Sequence, residues 1–313
     1  MSAKKVIGLS FKTLLVAIVV GISFIIGAMV SGIGRGVPAP TGAAAATAAA
    51  HPANPLLLLF IASLVQAIVA TYLVLEANWS GWKVAGALFL LSLNTSVQAA
   101  IEGTPYLRGR LPSHFIPHML IMGLVASALF APLTVWILGS FRRGPREAPG
   151  KRAHWSAARW TGTLAATTVV FMVLYYLCGY YIAWQSAALR QFYSGSTAIR
   201  SFWGQMAWTW STTPWMFPYQ AVRALLFVGL TLPAIRMLHG GALRVALGTA
   251  LMYVAFDGSP GLILPNPIMP PPVAHAHAIE MVVWGLVCGA FVGWAMSQGR
   301  AAEPAESQFA KAA

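Results

Sequence analysis

The sequence predicts an all-α, polytopic transmembrane helical bundle of about eight spans, and three observations predict it. Hydrophobic residues make up 58% of the chain and charged residues only 9%, against about 25% charged in a soluble globular protein. Apolar windows of roughly 20 residues, the length of helix that crosses about 30 Å of hydrocarbon, recur along all 313 residues. The alternation expected of barrel strands is missing, and backbone polar groups in lipid have to be satisfied within their own segment, so the windows read as helices.

The windows fall at 8–32, 54–77, 83–102, 115–139, 159–184, 217–238, 241–257 and 273–297. The first follows Met1-Ser2-Ala3-Lys4-Lys5 and precedes the Ala-rich stretch 43–50, a layout similar to that of a secretory signal. Its length exceeds the 7–15 residues of a signal's apolar region, so an uncleaved first helix is expected. Residues 38–54 are small and polar enough to form a tether. The longest segment between windows, 185–217, carries Trp203, Trp208, Trp210 and Trp215 among Ser, Thr, Gly and Gln. Tryptophan favours the headgroup level, so one or two short surface helices are expected there. The loop Asn266-Pro267-Ile268-Met269-Pro270-Pro271-Pro272 should be stiff and hold the start of the last helix.

The net charge of +13 does not mark a nucleic-acid binder, because Lys and Arg sit in the loops between windows. With the N-terminus inside, only Arg35, Arg108, Arg110, Arg190, Arg200 and Arg223 lie on the outer side, out of 20 Lys and Arg in all. That bias predicts both termini in the cytoplasm of a bacterial-type cell. The basic run from Arg142 to Arg159 is its strongest anchor, and its expected partner is the anionic headgroups of the cytoplasmic leaflet. Cys178 and Cys288 lie within apolar windows, which implies small apolar packing groups rather than a disulfide framework.

Two stretches repeat one pattern: Glu102-Gly103-Thr104-Pro105-Tyr106-Leu107 and Asp257-Gly258-Ser259-Pro260-Gly261-Leu262. Each ends an apolar window with a carboxylate and a turn, then leads to a helix with histidines near its start, His114 and His118 in one case, His275 and His277 in the other. Both helices run outward, four windows apart, which suggests a parallel 4+4 repeat. The expected organisation is a first membrane half at 1–140, a basic loop at 141–158, a second half at 159–299 with the surface segment inside it, and a tail at 300–313.

Ionisable side chains at membrane depth are costly and face a partner or a cavity. Of the seven acidic residues, Glu147, Glu303 and Glu306 lie in cytoplasmic segments and Glu76 at a window's cytoplasmic end. Glu102, Asp257 and Glu280 remain, all in the outer half. Asn94, Gln98 and Glu102 recur every four residues and share one helix stripe. His277 and Glu280 share a face at i, i+3. Arg223, about one turn inside the membrane, is expected to pair with Asp257 or Glu280, or to meet an anionic group. Tyr175, Tyr176, Tyr180 and Tyr181 cluster at the same outer end.

Glu102, His118, His277 and Glu280 are therefore the expected proton-transfer groups, and Asn94, Gln98, Arg223 and Asp257 the expected substrate-binding groups. No cofactor is expected. A divalent metal on His118, His277 and Glu280 is the weaker alternative, since His-x-x-x-His spacing suits zinc but no His-Glu-x-x-His motif occurs. No Gly-Lys phosphate loop, Gly-x-Ser-x-Gly elbow or Cys-x-x-Cys-His haem motif is present, which excludes ATP coupling within the chain. Three classes remain open: a permease-like transporter of a small solute or ion coupled to acid–histidine protonation, an enzyme acting on a lipid or lipid-linked substrate at the outer leaflet, and a non-catalytic membrane subunit.

Overall fold

The computed structural model describes residues 3–33, 54–106, 114–144, 155–265 and 269–298. The expected tether, Arg35, Arg108 and Arg110, most of the basic loop with Glu147, residues 266–268, and the tail with Glu303 and Glu306 lie outside the described residues. Ten α-helices appear among the described residues: α1 Ala3–Ser31, α2 Pro55–Leu75, α3 Trp82–Tyr106, α4 Phe115–Ile137, α5 Ala157–Tyr181, α6 Ala187–Ser194, α7 Phe202–Thr212, α8 Met216–Met237, α9 Ala242–Phe256 and α10 Pro271–Ser297. Local sequence explains several starts. Asn54, Ser156, Ser186 and Ser201 each accept a backbone N–H of the turn they precede, satisfying donors that the first turn leaves orphaned.

Seven of these helices are long and apolar enough to cross a membrane. The eighth expected span is the exception. Helix α9 has 15 residues, about 22 Å at 1.5 Å per residue, and falls short of roughly 30 Å of hydrocarbon. It starts on the same face as its neighbours and stops inside the bundle, where Thr95 Oγ1 donates to Phe256 O at 2.8 Å. Thr95 sits about three turns, or roughly 16 Å, before the end of α3. The last carbonyls of a helix ending among apolar side chains need donors. Besides Thr95, Gln66 of α2 supplies one to Ala255 O at 3.2 Å. Beyond Asp257, Gly258 takes φ +107°, open to glycine alone at low cost, and a 3-10 turn at Ser259–Ile263 follows.

A glycine stripe holds α9. Gly285, Gly289 and Gly293 of α10 face it so closely that a methyl group on Gly289 would lie 2.7 Å from Ala250 Cα and Thr249 O, and one on Gly293 would lie 2.7 Å from Val245 O. Small residues every fourth position let helix backbones approach where no hydrophobic effect separates lipid from side chain.

The helices pair in a recurring way. α1 packs on α2 and α4, and α3 on α4; α5 packs on α8 and α10, and α9 on α10. Exchanging α1 with α5, α2 with α8, α3 with α9 and α4 with α10 turns the first set into the second. It also exchanges the two cross-contacts, α3 with α8 and α2 with α9. At the proximal face, where α1 begins, the ends of α2 and α8 meet in an antiparallel bridge between Ala77 and Leu238. Asn78 N donates to Met237 O at 2.7 Å and His239 N to Glu76 O at 3.0 Å. His239 and Arg244 both reach the Glu76 carboxylate, so Glu76 is a joint between helices and not only a headgroup-level charge.

Gly289→Val should cost about 2–3 kcal/mol by overpacking the α9–α10 contact and lower the unfolding temperature of the detergent-purified protein. Gly162→Ala, where an added methyl meets nothing within 4 Å, should leave that temperature unchanged or raise it.

Candidate functional site

The distal ends of α3, α5, α8 and α10 surround a cavity of about 990 Å³, also lined by α1, α4, the end of α9 and the surface helices. Below it, Phe171, Phe227, Tyr253 and Trp284 are almost wholly buried and pack ring against ring at centroid distances of 4.6–6.1 Å. This aromatic floor separates the cavity from the proximal face.

Arg223 stands on the wall. Its Nη2 and Nη1 donate to Glu102 Oε2 at 2.9 Å and Oε1 at 3.1 Å, its Nε donates to Gln98 Oε1 at 3.0 Å, and Nη1 also reaches Gln220 Oε1 at 3.3 Å. The two parallel bonds to one carboxylate make the strong, directional form of an ion pair. Its guanidinium carbon lies 5.5 Å from the Tyr175 ring centre and 5.9 Å from that of Phe171, within cation–π range. Gln98 Nε2 donates on to Asn94 Oδ1 at 3.1 Å. The i, i+4, i+8 stripe of α3 thus runs as one polar line, from a fully buried Asn94 to a Glu102 side chain about one-third exposed. Tyr219 of α8 donates its hydroxyl to Ile101 O, a second tie between α3 and α8.

The other wall carries His277. Its Nδ1 lies 2.8 Å from Glu280 Oε2 and its Nε2 lies 3.0 Å from the Tyr193 hydroxyl. Both ring nitrogens are therefore engaged, between an acid on its own helix and a phenol from α6. Glu280 is buried because Gly179 of α5 leaves room: a methyl there would come within 3.3 Å of Glu280 Oε1. Asp257, at the end of α9, is buried and lines the cavity.

Most of the expected site residues converge: Gln98, Glu102, Arg223, Asp257, His277 and Glu280 all line the cavity, with Asn94 one turn beneath. Two expectations are corrected. Arg223 pairs with Glu102, a partner not among those expected, because α8 packs along α3 and brings the guanidinium to that stripe. His118 is not among the lining residues; its ring lies against His114 at 5.0 Å. The alternative metal triad of His118, His277 and Glu280 is consequently not assembled, and among the described residues no three His, Cys, Asp or Glu side chains converge as metal ligands. His275 points outward and is exposed.

Tyr193, Gln220 and Trp284 were not anticipated. The outer segment folds as α6 and α7, and Gln205, Met206, Trp208 and Thr209 of α7 face the cavity, while Trp203 and Trp210 point away and are exposed.

Fold and site together define a multi-pass α-helical membrane protein with a largely apolar cavity at one face that carries a few ionisable side chains. No protein-family model, curated protein or solved structure matches the chain.

Arg223→Ala would leave the buried acceptors of Gln98 and Gln220 and the Glu102 carboxylate without their cation. It should cost about 3 kcal/mol. Glu102→Gln, at a partly exposed carboxylate, should cost about 1 kcal/mol. Thermal unfolding in detergent checks the order, and equal small losses would contradict the wall as described.

Proposed function

We propose that the chain is a carrier-like membrane protein built from two copies of a four-helix unit. Residues 1–140 and 159–299 form the two halves, and the cavity between them takes up a small solute. One observation carries this reading: a solute-sized chamber lies between two sets of helices with the same internal pairings, lined at one face and floored by aromatic rings toward the other. Carriers built from repeats hold their substrate at the interface between repeats and alternate by rocking one against the other. In this reading the described arrangement is the outward-facing one. The floor of Phe171, Phe227, Tyr253 and Trp284 is the barrier that has to open.

His277 and Glu280 are the coupling pair. Imidazole is the side chain whose charge ordinarily changes between pH 5 and 8. Its bonds to an acid and to a phenol from another helix make that change felt across α6 and α10. Arg223 and Glu102 hold α3 to α8 as a fixed wall, with Gln98 and Asn94 behind them. The basic loop faces the cytoplasm of a bacterial-type cell and meets anionic headgroups there, with both termini inside and the chamber opening outward. A second reading, an enzyme acting on a lipid at the outer leaflet, is favoured by His277 lying between an acid and a phenol, an arrangement that suits a general base.

Spin labels at Met29→Cys in α1 and Tyr181→Cys in α5, in a Cys178→Ala/Cys288→Ala background, separate the two. Both positions are exposed and lie near the distal ends of opposite halves. A carrier should show two distance populations in lipid whose ratio changes between pH 5.5 and 8, with that change lost in Glu280→Gln. A single distance at both pH values would count against the carrier and favour the enzyme.

A further inference from the structure

We propose that the chamber selects lipophilic organic cations. The proposal rests on the carrier reading above and names its substrate class.

The argument begins with the hooks available to an anion. The described lining offers two cationic or potentially cationic groups, and both are already committed. The nitrogens of Arg223 donate to Glu102, Gln98 and Gln220, and its guanidinium also lies over two rings. The nitrogens of His277 meet Glu280 and Tyr193. An incoming carboxylate, sulfate or phosphate would have to break one of these bonds at a buried site and would face three carboxylates, Glu102, Asp257 and Glu280. Carboxylates keep spare acceptor capacity after one or two bonds, since each offers about four lone-pair directions. Among the described lining residues, three acids stand against one guanidinium and one imidazole, whichever groups those acids pair with. A cation completes it, and an anion worsens it.

The walls add the second requirement. Tyr175, Tyr180, Trp184, Tyr193, Trp208 and Trp284 all line the chamber, and the quadrupole of an aromatic ring draws a cation to its face. Arg223 over Tyr175 and Arg200 over Trp208, at 5.0 Å from ring centre, are instances already present. A strongly hydrated ammonium or metal ion would leave most of about 990 Å³ unfilled and most of its apolar wall uncontacted. Pockets of roughly 300–1,000 Å³ fit drug-sized molecules. A bulky cation with its charge buried among apolar groups loses little hydration on entry and uses both the acids and the rings.

The test uses two ions of nearly the same shape and opposite charge, tetraphenylphosphonium and tetraphenylborate. Each is radiolabelled and titrated onto protein in lipid nanodiscs, with empty nanodiscs subtracted. The expected result is saturable binding of about one tetraphenylphosphonium per chain, no saturable tetraphenylborate binding, and no competition from tetramethylammonium. Glu280→Gln should weaken the cation at least tenfold. Met281→Arg, at a half-buried lining position, should abolish binding even if Glu280→Gln unfolds. Preference for tetraphenylborate would overturn the charge assignment and leave the carrier reading standing. Equal binding of tetramethylammonium would overturn the lipophilic part. Binding of neither ion to folded protein would overturn the proposal, and the spin-label distances would then decide the carrier reading by themselves.

Discussion

The early end of α9 is the constraint around which the rest is arranged. A helix that stops inside a bundle exposes its last carbonyls to an apolar surrounding, and each one left without a donor costs free energy on the scale of a lost hydrogen bond. Gln66 of α2 and Thr95 of α3 donate to two of these carbonyls. The glycine stripe of α10 brings α9 close enough for its position to be defined by backbone contact. Asp257 is thereby delivered well below the distal surface, at the bottom of a chamber that the longer helices wall in. A full-length α9 would carry that acid toward the headgroups and occupy the space now lined by Gly258, Leu262 and Met269.

Within the chamber, Arg223 and His277 play different parts although both pair with acids. The guanidinium is held by carboxylate and amide oxygens on α3 and α8, an arrangement in which each of its nitrogens has an acceptor. Such a site fixes the register of two helices. His277 bridges α6 and α10 through its two ring nitrogens. The first is a static tie and the second a movable one. In the proposed carrier, that division keeps one half of the cavity rigid while the other responds.

Much of this was legible from residue types alone, because a charge in an apolar run is expensive enough to be noticed. Glu102, Asp257, His277 and Glu280 stand out for that reason, and the four-residue spacing of Asn94, Gln98 and Glu102 places them on one stripe before any coordinates are known. The partner of Arg223 was not legible: three acids share its depth, and only the packing of α8 along α3 chooses between them. His118 turns toward His114 and is not among the residues that line the cavity. The length of α9 was misread because the apolar window runs on to Asp257 without showing how far short of the bilayer it falls. The Gly285, Gly289 and Gly293 spacing was in plain view and marks the close contact of α9 with α10. Tyr193 comes from a surface helix about 84 positions before its partner, a separation that no local pattern reports.

The central claim is that in the described arrangement the chamber opens to the distal face, above a floor of packed rings. Its most direct test places a cysteine at Met281, which lines the chamber, in the Cys178→Ala/Cys288→Ala background. A membrane-impermeant thiol reagent is then applied to sealed vesicles of each orientation. The account predicts rapid modification when the distal face is outside and much slower modification when the proximal face is outside. Reaction from the proximal face alone, or at equal rates from both, would contradict it.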